Sequence, residues 1–211
     1  MADNQFYFEF ENQLRRKRKH VKTNLYHYLC LIRTIQKTNV NPNHLDIGCG
    51  KGEWLELCKN EGFNSLGIDK NKDMVNTALD KGLNVIQGDI IEVLKTLPDN
   101  SFDLISGFHC IEHFTFETLI SMLCECKRLL SESGILLLET PGIDNLSLEP
   151  TNISPINPDS MVFHIQQLGF HKVKYFLING GPLQQLSSEH TLTKVLNGIS
   201  QDVCFIATKT K

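Results

Sequence analysis

The chain has 211 residues, 41% of them hydrophobic and 21% charged, with a formal net charge of −3 at pH 7. That length suits one α/β domain with an extra helical segment and a substantial core, and the charge balance leaves no electrostatic footprint for nucleic acid. The opening is polar and aromatic, without the apolar core of a leader, and no apolar run reaches membrane-spanning length, so a cytoplasmic protein is expected.

Seven cysteines are scattered over positions with core or helix patterning. An odd, scattered set reads as reduced thiols, not as a disulfide framework. Cys124-Glu125-Cys126 lacks the two-residue gap and the partner pair of a zinc site, so no metal is expected.

Between residues 10 and 36, Leu14, Val21, Leu25, Tyr28, Leu29, Ile32 and Ile35 recur mostly three or four apart. That spacing predicts one or two amphipathic helices ahead of the core. Residues 1–40 are therefore read as an N-terminal helical cap and 41–211 as the main domain. Within the first part, Arg15-Arg16-Lys17-Arg18-Lys19 reads mostly as a solvated helix face. Asn41-Pro42-Asn43 then breaks the helical pattern.

Strand-like runs follow at 44–47, 64–68, 84–87, 102–106, 134–139, 172–178 and 203–208. Helical patterns separate them at 53–60, 71–81, 90–97, 117–130, 159–168 and about 189–197. Strands alternating with helices imply βαβ units, hence a seven-stranded, mostly parallel, Rossmann-like α/β sheet with helices on both faces. Gly180-Gly181-Pro182 leaves the penultimate strand through a turn, and residues 145–160 are a polar, Pro/Asn/Ser-rich loop. Trp54 reads as core or cofactor-edge packing, and Met74 and Met122 as helix-face core.

The most informative stretch is His44-Leu45-Asp46-Ile47-Gly48-Cys49-Gly50-Lys51-Gly52, answered by Gly67-Ile68-Asp69. An apolar run enters a glycine-dense turn that opens a helix, and an acid closes the next apolar run about 20 residues later, the layout of a nucleoside-binding unit. The dinucleotide pattern needs G-x-G-x-x-G, whereas here Gly48, Gly50 and Gly52 are evenly spaced and Glu53 stands where the third glycine would be. A carboxylate there repels a pyrophosphate. Asp46, before the turn, suits a cation such as an amino-acid ammonium. A ligand with adenine, ribose and ammonium but no phosphate fits both acids; S-adenosylmethionine meets that description.

Ligands of open α/β sheets lie beyond the carboxyl ends of the strands. That rule selects the turn 48–52 (Gly48, Cys49, Gly50, Gly52), Asp69-Lys70 for the ribose, Asp89-Ile90, and the loop 106–114 with His109 and His113. Asp89 suits a helix N-cap as well as a ligand contact. The two histidines are the well-placed groups able to exchange protons near neutral pH.

The string Leu45-Asp46-Ile47-Gly48-Cys49-Gly50-Lys51-Gly52 resembles the first motif of class I S-adenosylmethionine-dependent methyltransferases. By that resemblance a seventh strand inserts antiparallel between the fifth and sixth, and Asp89 holds the adenine amino group while Ile90 packs on the ring. Further strings narrow the likeness: the opening 7–15, Gly52-Glu53-Trp54-Leu55-Glu56-Leu57, Gly107-Phe108-His109-Cys110-Ile111-Glu112-His113, and Leu138-Glu139-Thr140-Pro141 with Asn145-Leu146. Together they resemble the bacterial methyltransferases of lipopolysaccharide and O-antigen assembly, among them the methyltransferase part of the O-antigen chain-terminating kinase–methyltransferase. The likeness implies that Tyr7 and Arg15 lie over the cofactor, Arg15 on its carboxylate, and that Asp46, Gly48, Asp69, Asp89 and His109 line the cleft. It also implies a saccharide or saccharide-phosphate acceptor, methylated on oxygen, and association with glycan-assembly enzymes. The chain departs from that pattern with Arg16 where glycine is usual and Asn152 where histidine is usual, and it has no kinase motif. A small-molecule acceptor (quinone precursor or carboxylate), a non-catalytic cofactor-binding subunit and a nicotinamide oxidoreductase stay open as alternatives.

Overall fold

The computed structural model describes residues 8–9, 25–37, 39–142, 151–178 and 202–210. Seven strands form one sheet: β1 (Asn43–Ile47), β2 (Asn64–Asp69), β3 (Val85–Gln87), β4 (Phe102–Phe108), β5 (Leu130–Pro141), β6 (His171–Ile178) and β7 (Asp202–Thr208). Their order is β3-β2-β1-β4-β5-β7-β6. β1 pairs in parallel with β2 on one side and β4 on the other, so the chain reverses its direction of travel across the sheet at β1. That reversal opens a crevice at the carboxyl ends of β1 and β4. β7 runs antiparallel to both β5 and β6. Its first residue, Asp202, consequently pairs with Pro141 at the end of β5 and lies at the same edge of the sheet where the parallel strands finish.

The two-residue period of the strands sorts side chains to opposite faces. Leu45, Ile47, Ile105, Leu136 and Leu138 pack with Met122, Leu123, Met161 and Ile165 on one side. Leu104, Leu137 and Cys204 pack on the other with Ile32, Ile35, Trp54 and Leu57. The first face is covered by α4 (Ile90–Thr96), α5 (Phe116–Leu129) and α6 (Pro158–Gln167), and the second by α1 (Leu29–Gln36) and α2 (Glu53–Asn60). α3 (Lys72–Leu79) buries Met74, Val75 and Ala78. Trp54, at 2% exposure, is core, and Met122 is fully buried, as its helical spacing implied.

Local chemistry sets the helix starts. Asn71 accepts from the amides of Asp73 and Met74 ahead of α3, Thr115 from Thr118 ahead of α5, and Asn157 from Ser160 ahead of α6, where Pro158 needs no amide partner. β5 begins at Leu130, four residues before the run expected from the sequence, because fully buried Leu130 passes directly from α5 to pair with Phe102. Ser133, with φ of +65°, turns the chain between the two parts of that strand. The expected helix at 189–197, most of the segment 10–24, and residues 143–150 of the polar loop lie outside the described residues. No helix among the described residues is long and apolar enough to cross a membrane.

Gly52 couples the turn to this packing. It sits at φ +79°, and a Cβ there would lie 2.4 Å from Leu83 Cδ1. Gly52→Ala is expected to destabilise the protein by roughly 1–3 kcal/mol, from left-handed strain plus displacement of Leu83. A urea titration in which G52A keeps the wild-type midpoint would refute this.

Candidate active site

Three glycines at positive φ fold the 48–52 segment back over the end of β1: Gly48 at +67°, Gly50 at +53° and Gly52 at +79°. The amides of Gly48 and Cys49 both donate to the Ile68 carbonyl, at 2.8 and 3.0 Å, which ties the turn to β2. A Cβ on Gly48 would lie 2.8 Å from that of Cys110, whereas one on Gly50 would meet nothing within 4 Å. Gly50 therefore faces open space, and a ligand can approach the backbone there. The Cys49 side chain is buried with Leu55, Ala78 and Leu83. Its amide is used on Ile68, so the Cys49 side chain serves the core and its amide the turn.

Below the turn, four polar side chains from three strands form a connected column. Ser106 Oγ lies 2.6 Å from Asp46 Oδ1 and 2.8 Å from His44 Nε2, and His44 Nδ1 lies 3.0 Å from Ser65 Oγ. Burial holds His44 neutral, its pKa pushed down to about 3. With Asp46 ionised the donors are fixed: Ser65 donates to Nδ1, Nε2–H to Ser106, and Ser106 to the carboxylate. Burial lifts the pKa of Asp46 to about 7; the Ser106 bond opposes that rise, and the charges of Asp69 and Glu53 add to it. His44 and Ser106 were not singled out in the sequence, where each is merely a polar residue in a strand.

Asp69 closes β2 and accepts the Gly50 amide at 2.9 Å and the Asn71 amide at 2.8 Å. Burial raises its pKa, while those two amides and Lys70 work against the rise. Lys70 itself is exposed. Asp89 caps α4 by accepting the amides of Ile91 and Glu92 at 2.9 and 3.3 Å, and its exposed position beside half-buried Ile90 leaves both facing the rim of the crevice.

The loop after β4 brings together groups that are far apart in the sequence. His109 has φ of +51°, a strained conformation for a side-chain-bearing residue, and its amide donates to the Glu139 carbonyl at 2.8 Å. Its Nε2 lies 3.2 Å from Glu139 Oε1 and 3.8 Å from Asp202 Oδ2, and its Nδ1 lies 3.7 Å from Glu112 Oε1. Burial pulls the imidazole pKa down, but contacts with Glu112 and Glu139 and the charge of Asp202 outweigh it and lift it to about 10. Glu112 moves the opposite way: its burial is outweighed by His109, and its pKa falls. The surrounding carboxylates therefore favour the protonated imidazole. The Tyr28 hydroxyl donates to Glu139 Oε2 from beneath. His113 Nδ1 donates to the Thr151 carbonyl at 3.0 Å, and its Nε2 is buried.

Tyr7 and Arg15 lie outside the described residues. Their neighbour Phe8 is described, and its ring lies 5.2 Å from the Lys51 ammonium at the glycine turn.

Residues 14–199 match a family described as a methyltransferase domain. The chain belongs to this family. A crystal structure of an S-adenosylmethionine-dependent methyltransferase from Archaeoglobus fulgidus is similar over 97% of this chain and 100% of that one, with 33% identity and a TM-score of 0.77. A probable S-adenosylmethionine-dependent methyltransferase of Mycobacterium tuberculosis is 29% identical over 139 residues, 65% of this chain and 47% of that protein. Phosphoethanolamine N-methyltransferase of Plasmodium falciparum is 33% identical over 104 residues, 47% of this chain and 39% of that one. The chain spans about half the length of the first curated relatives it matches.

S-adenosylmethionine is the cofactor of the family, and the crevice of this methyltransferase fits it. Gly50 is open to a ligand, and Asp46 is a buried carboxylate pressed by the charges of Asp69 and Glu53. A cationic ligand relieves that pressure; a pyrophosphate increases it.

The raised pKa of Asp46 has a stability consequence in the cofactor-free protein. The folded state holds this proton up to about pH 7. The unfolded chain releases it near 3.9, so stability falls as pH rises between the two values. Asp46→Asn is expected to exceed wild type in stability above pH 7, by on the order of 1–4 kcal/mol, and the gap should close toward pH 4. Urea unfolding of both proteins across that range measures it, and a pH-independent gap would contradict the assignment.

Proposed function

We propose that this protein transfers the methyl group of S-adenosylmethionine to an oxygen of a saccharide or another polyhydroxylated acceptor in surface-glycan assembly. The observation that carries the reading is the pair of carboxylates, Asp46 and Asp69, placed on either side of a left-handed glycine turn whose middle residue is open. In this reading Asp69 takes the ribose hydroxyls, Asp46 the ammonium, and Asp89 with Ile90 the adenine. Tyr7 and Arg15 close the cleft, with Arg15 on the cofactor carboxylate. Bound S-adenosylmethionine supplies a methyl group already activated by a sulfonium, so the protein's work is alignment and exclusion of water.

The acceptor end supports a hydroxyl-rich molecule. His109, Glu112, Glu139 and Asp202 make it polar and acidic, which disfavours an apolar quinone precursor and repels a carboxylate or phosphate at that point. His109 and His113 are the residues proposed for proton transfer at the acceptor hydroxyl. The resemblance of 7–15, 52–57, 107–113 and 138–141 to the lipopolysaccharide and O-antigen methyltransferases favours a glycan. A second reading, an amine acceptor, draws on the same carboxylates and on the likeness to phosphoethanolamine N-methyltransferase.

Two measurements test this. Asp69→Ala should weaken S-adenosylmethionine binding by roughly 10–100-fold in calorimetry, the value of lost hydrogen bonds to a charged group. Affinity should also fall as pH drops below about 7, where Asp46 takes its proton, and this dependence should vanish in Asp46→Asn. Unchanged binding in D69A would end the cofactor reading. Label from methyl-tritiated S-adenosylmethionine should appear in a glycolipid or nucleotide-sugar fraction, and His113→Gln should slow that transfer by roughly 100-fold or more with cofactor affinity retained. Label in an amine instead would select the second reading.

A further inference from the structure

We propose that His109, Glu139 and Asp202 bind one divalent cation at the acceptor end of the sheet, with Glu112 backing the imidazole. Each of the three offers one ligand atom, and those atoms lie within 4.8 Å of one another. The His109 Nε2 to Glu139 Oε1 distance of 3.2 Å and the Nε2 to Asp202 Oδ2 distance of 3.8 Å are close to the edges of a small coordination polyhedron. Bonds of about 2.1 Å to a shared ion place neighbouring ligand atoms about 3.0–3.4 Å apart, so only the Asp202 carboxylate has to swing inward. The three side chains are 28%, 9% and 17% exposed, so each keeps some access to solvent.

The imidazole is oriented as a ligand. Nε2 faces both carboxylates, while Nδ1 faces Glu112, 3.7 Å away. A carboxylate behind the far nitrogen is the arrangement that fixes the tautomer and orientation of metal-bound histidines. Glu112 Oε1 is completely buried and has no hydrogen-bond partner, while its other oxygen accepts from Thr140 Oγ1 at 3.2 Å. A buried carboxylate oxygen without a hydrogen-bond partner is costly, and His109 Nδ1, 3.7 Å away, is the group that faces it. The remaining members are also braced: Tyr28 donates to the other oxygen of Glu139, and the strained backbone of His109 is pinned by its amide bond to the Glu139 carbonyl.

One nitrogen and two carboxylate oxygens with open positions suit Mn²⁺, Fe²⁺ or Zn²⁺ better than a purely hard ion. The cation's use rests on the methyl-transfer reading: its open positions hold two neighbouring acceptor oxygens, which selects a vicinal diol or a similar chelating acceptor. Its binding does not depend on that reading.

The test titrates the chelator-treated full chain with Mn²⁺, following free ion by electron paramagnetic resonance, and measures S-adenosylmethionine affinity on the same samples. One Mn²⁺ per chain is expected, lost in Asp202→Asn and Glu139→Gln and weakened roughly tenfold in Glu112→Gln. Retained cofactor affinity reports that each variant folds, and D202N, at the mouth of the cluster, is the variant least tied to the core. Absence of a saturable Mn²⁺ site in a chain that binds S-adenosylmethionine would overturn the proposal and show an imidazolium cluster only. Binding that persists in both D202N and E139Q would also overturn it. A chain that binds Mn²⁺ but not S-adenosylmethionine would keep the cation site and remove the methyl-transfer reading.

Discussion

Asp46 is a carboxylate inside the protein, and the rest of the crevice is arranged around the cost of putting it there. Taking its charge out of water, with Asp69 and Glu53 nearby, lifts its pKa to about 7. Ser106 offsets part of that cost through a 2.6 Å hydrogen bond, and Ser106 is in turn held by a neutral, fully buried histidine. The column ends on Ser65 of β2, so it spans the three central strands. The polar groups satisfy one another in series, as buried polar networks must if they are to fix a single arrangement. The glycine turn lies directly above, and Asp69 is fastened to it through the Gly50 amide. Two anions are thus held near each other by backbone and hydroxyl donors, and a cationic nucleoside is the kind of ligand that relieves their repulsion.

The antiparallel seventh strand does comparable work at the other end of the crevice. A parallel strand in that place would carry its first residue to the opposite edge of the sheet. Running backward, β7 delivers Asp202 beside Pro141, next to Glu139 and His109. The segment 151–154 crosses the same loop: the amides of Ile153 and Ser154 donate to the Glu112 carbonyl, and the Thr151 carbonyl receives His113. The polar residues there are therefore held by backbone contacts from several directions, which is how a strained residue such as His109 keeps its conformation.

Much of this was legible in the sequence because it is local. The two-residue alternation and the Gly/Asn/Pro punctuation located all seven strands to within a few residues, and spacing of three and four located the helices that fall among the described residues. The glycine turn and Asp69 were legible because backbone approach and φ > 0 demand particular residues at fixed separation. What escaped was non-local or dual in meaning. Tyr28 read as one more apolar helix position, Glu139 as a strand end and Asp202 as the residue before a strand; only the sheet order brings them to His109. His44 gave no sign that both of its ring nitrogens would be bonded within the sheet. The burial of the Cys49 side chain with Leu55, Ala78 and Leu83 was not legible either, because spacing within a turn does not show which way a side chain points. The surroundings of His109 escaped for a similar reason: two of its three carboxylate neighbours, Glu139 and Asp202, come from distant segments.

Tyr28 lies at the junction between the N-terminal helix and the sheet, packing edge-on against Trp54 and Phe108 while its hydroxyl reaches Glu139. One side chain therefore serves as an apolar plug and as a polar strut. The two ends of the catalytic crevice share a mechanical member, and a designer retargeting this scaffold to another acceptor would not be able to rebuild the β5 carboxylate without re-engineering how the first helix docks.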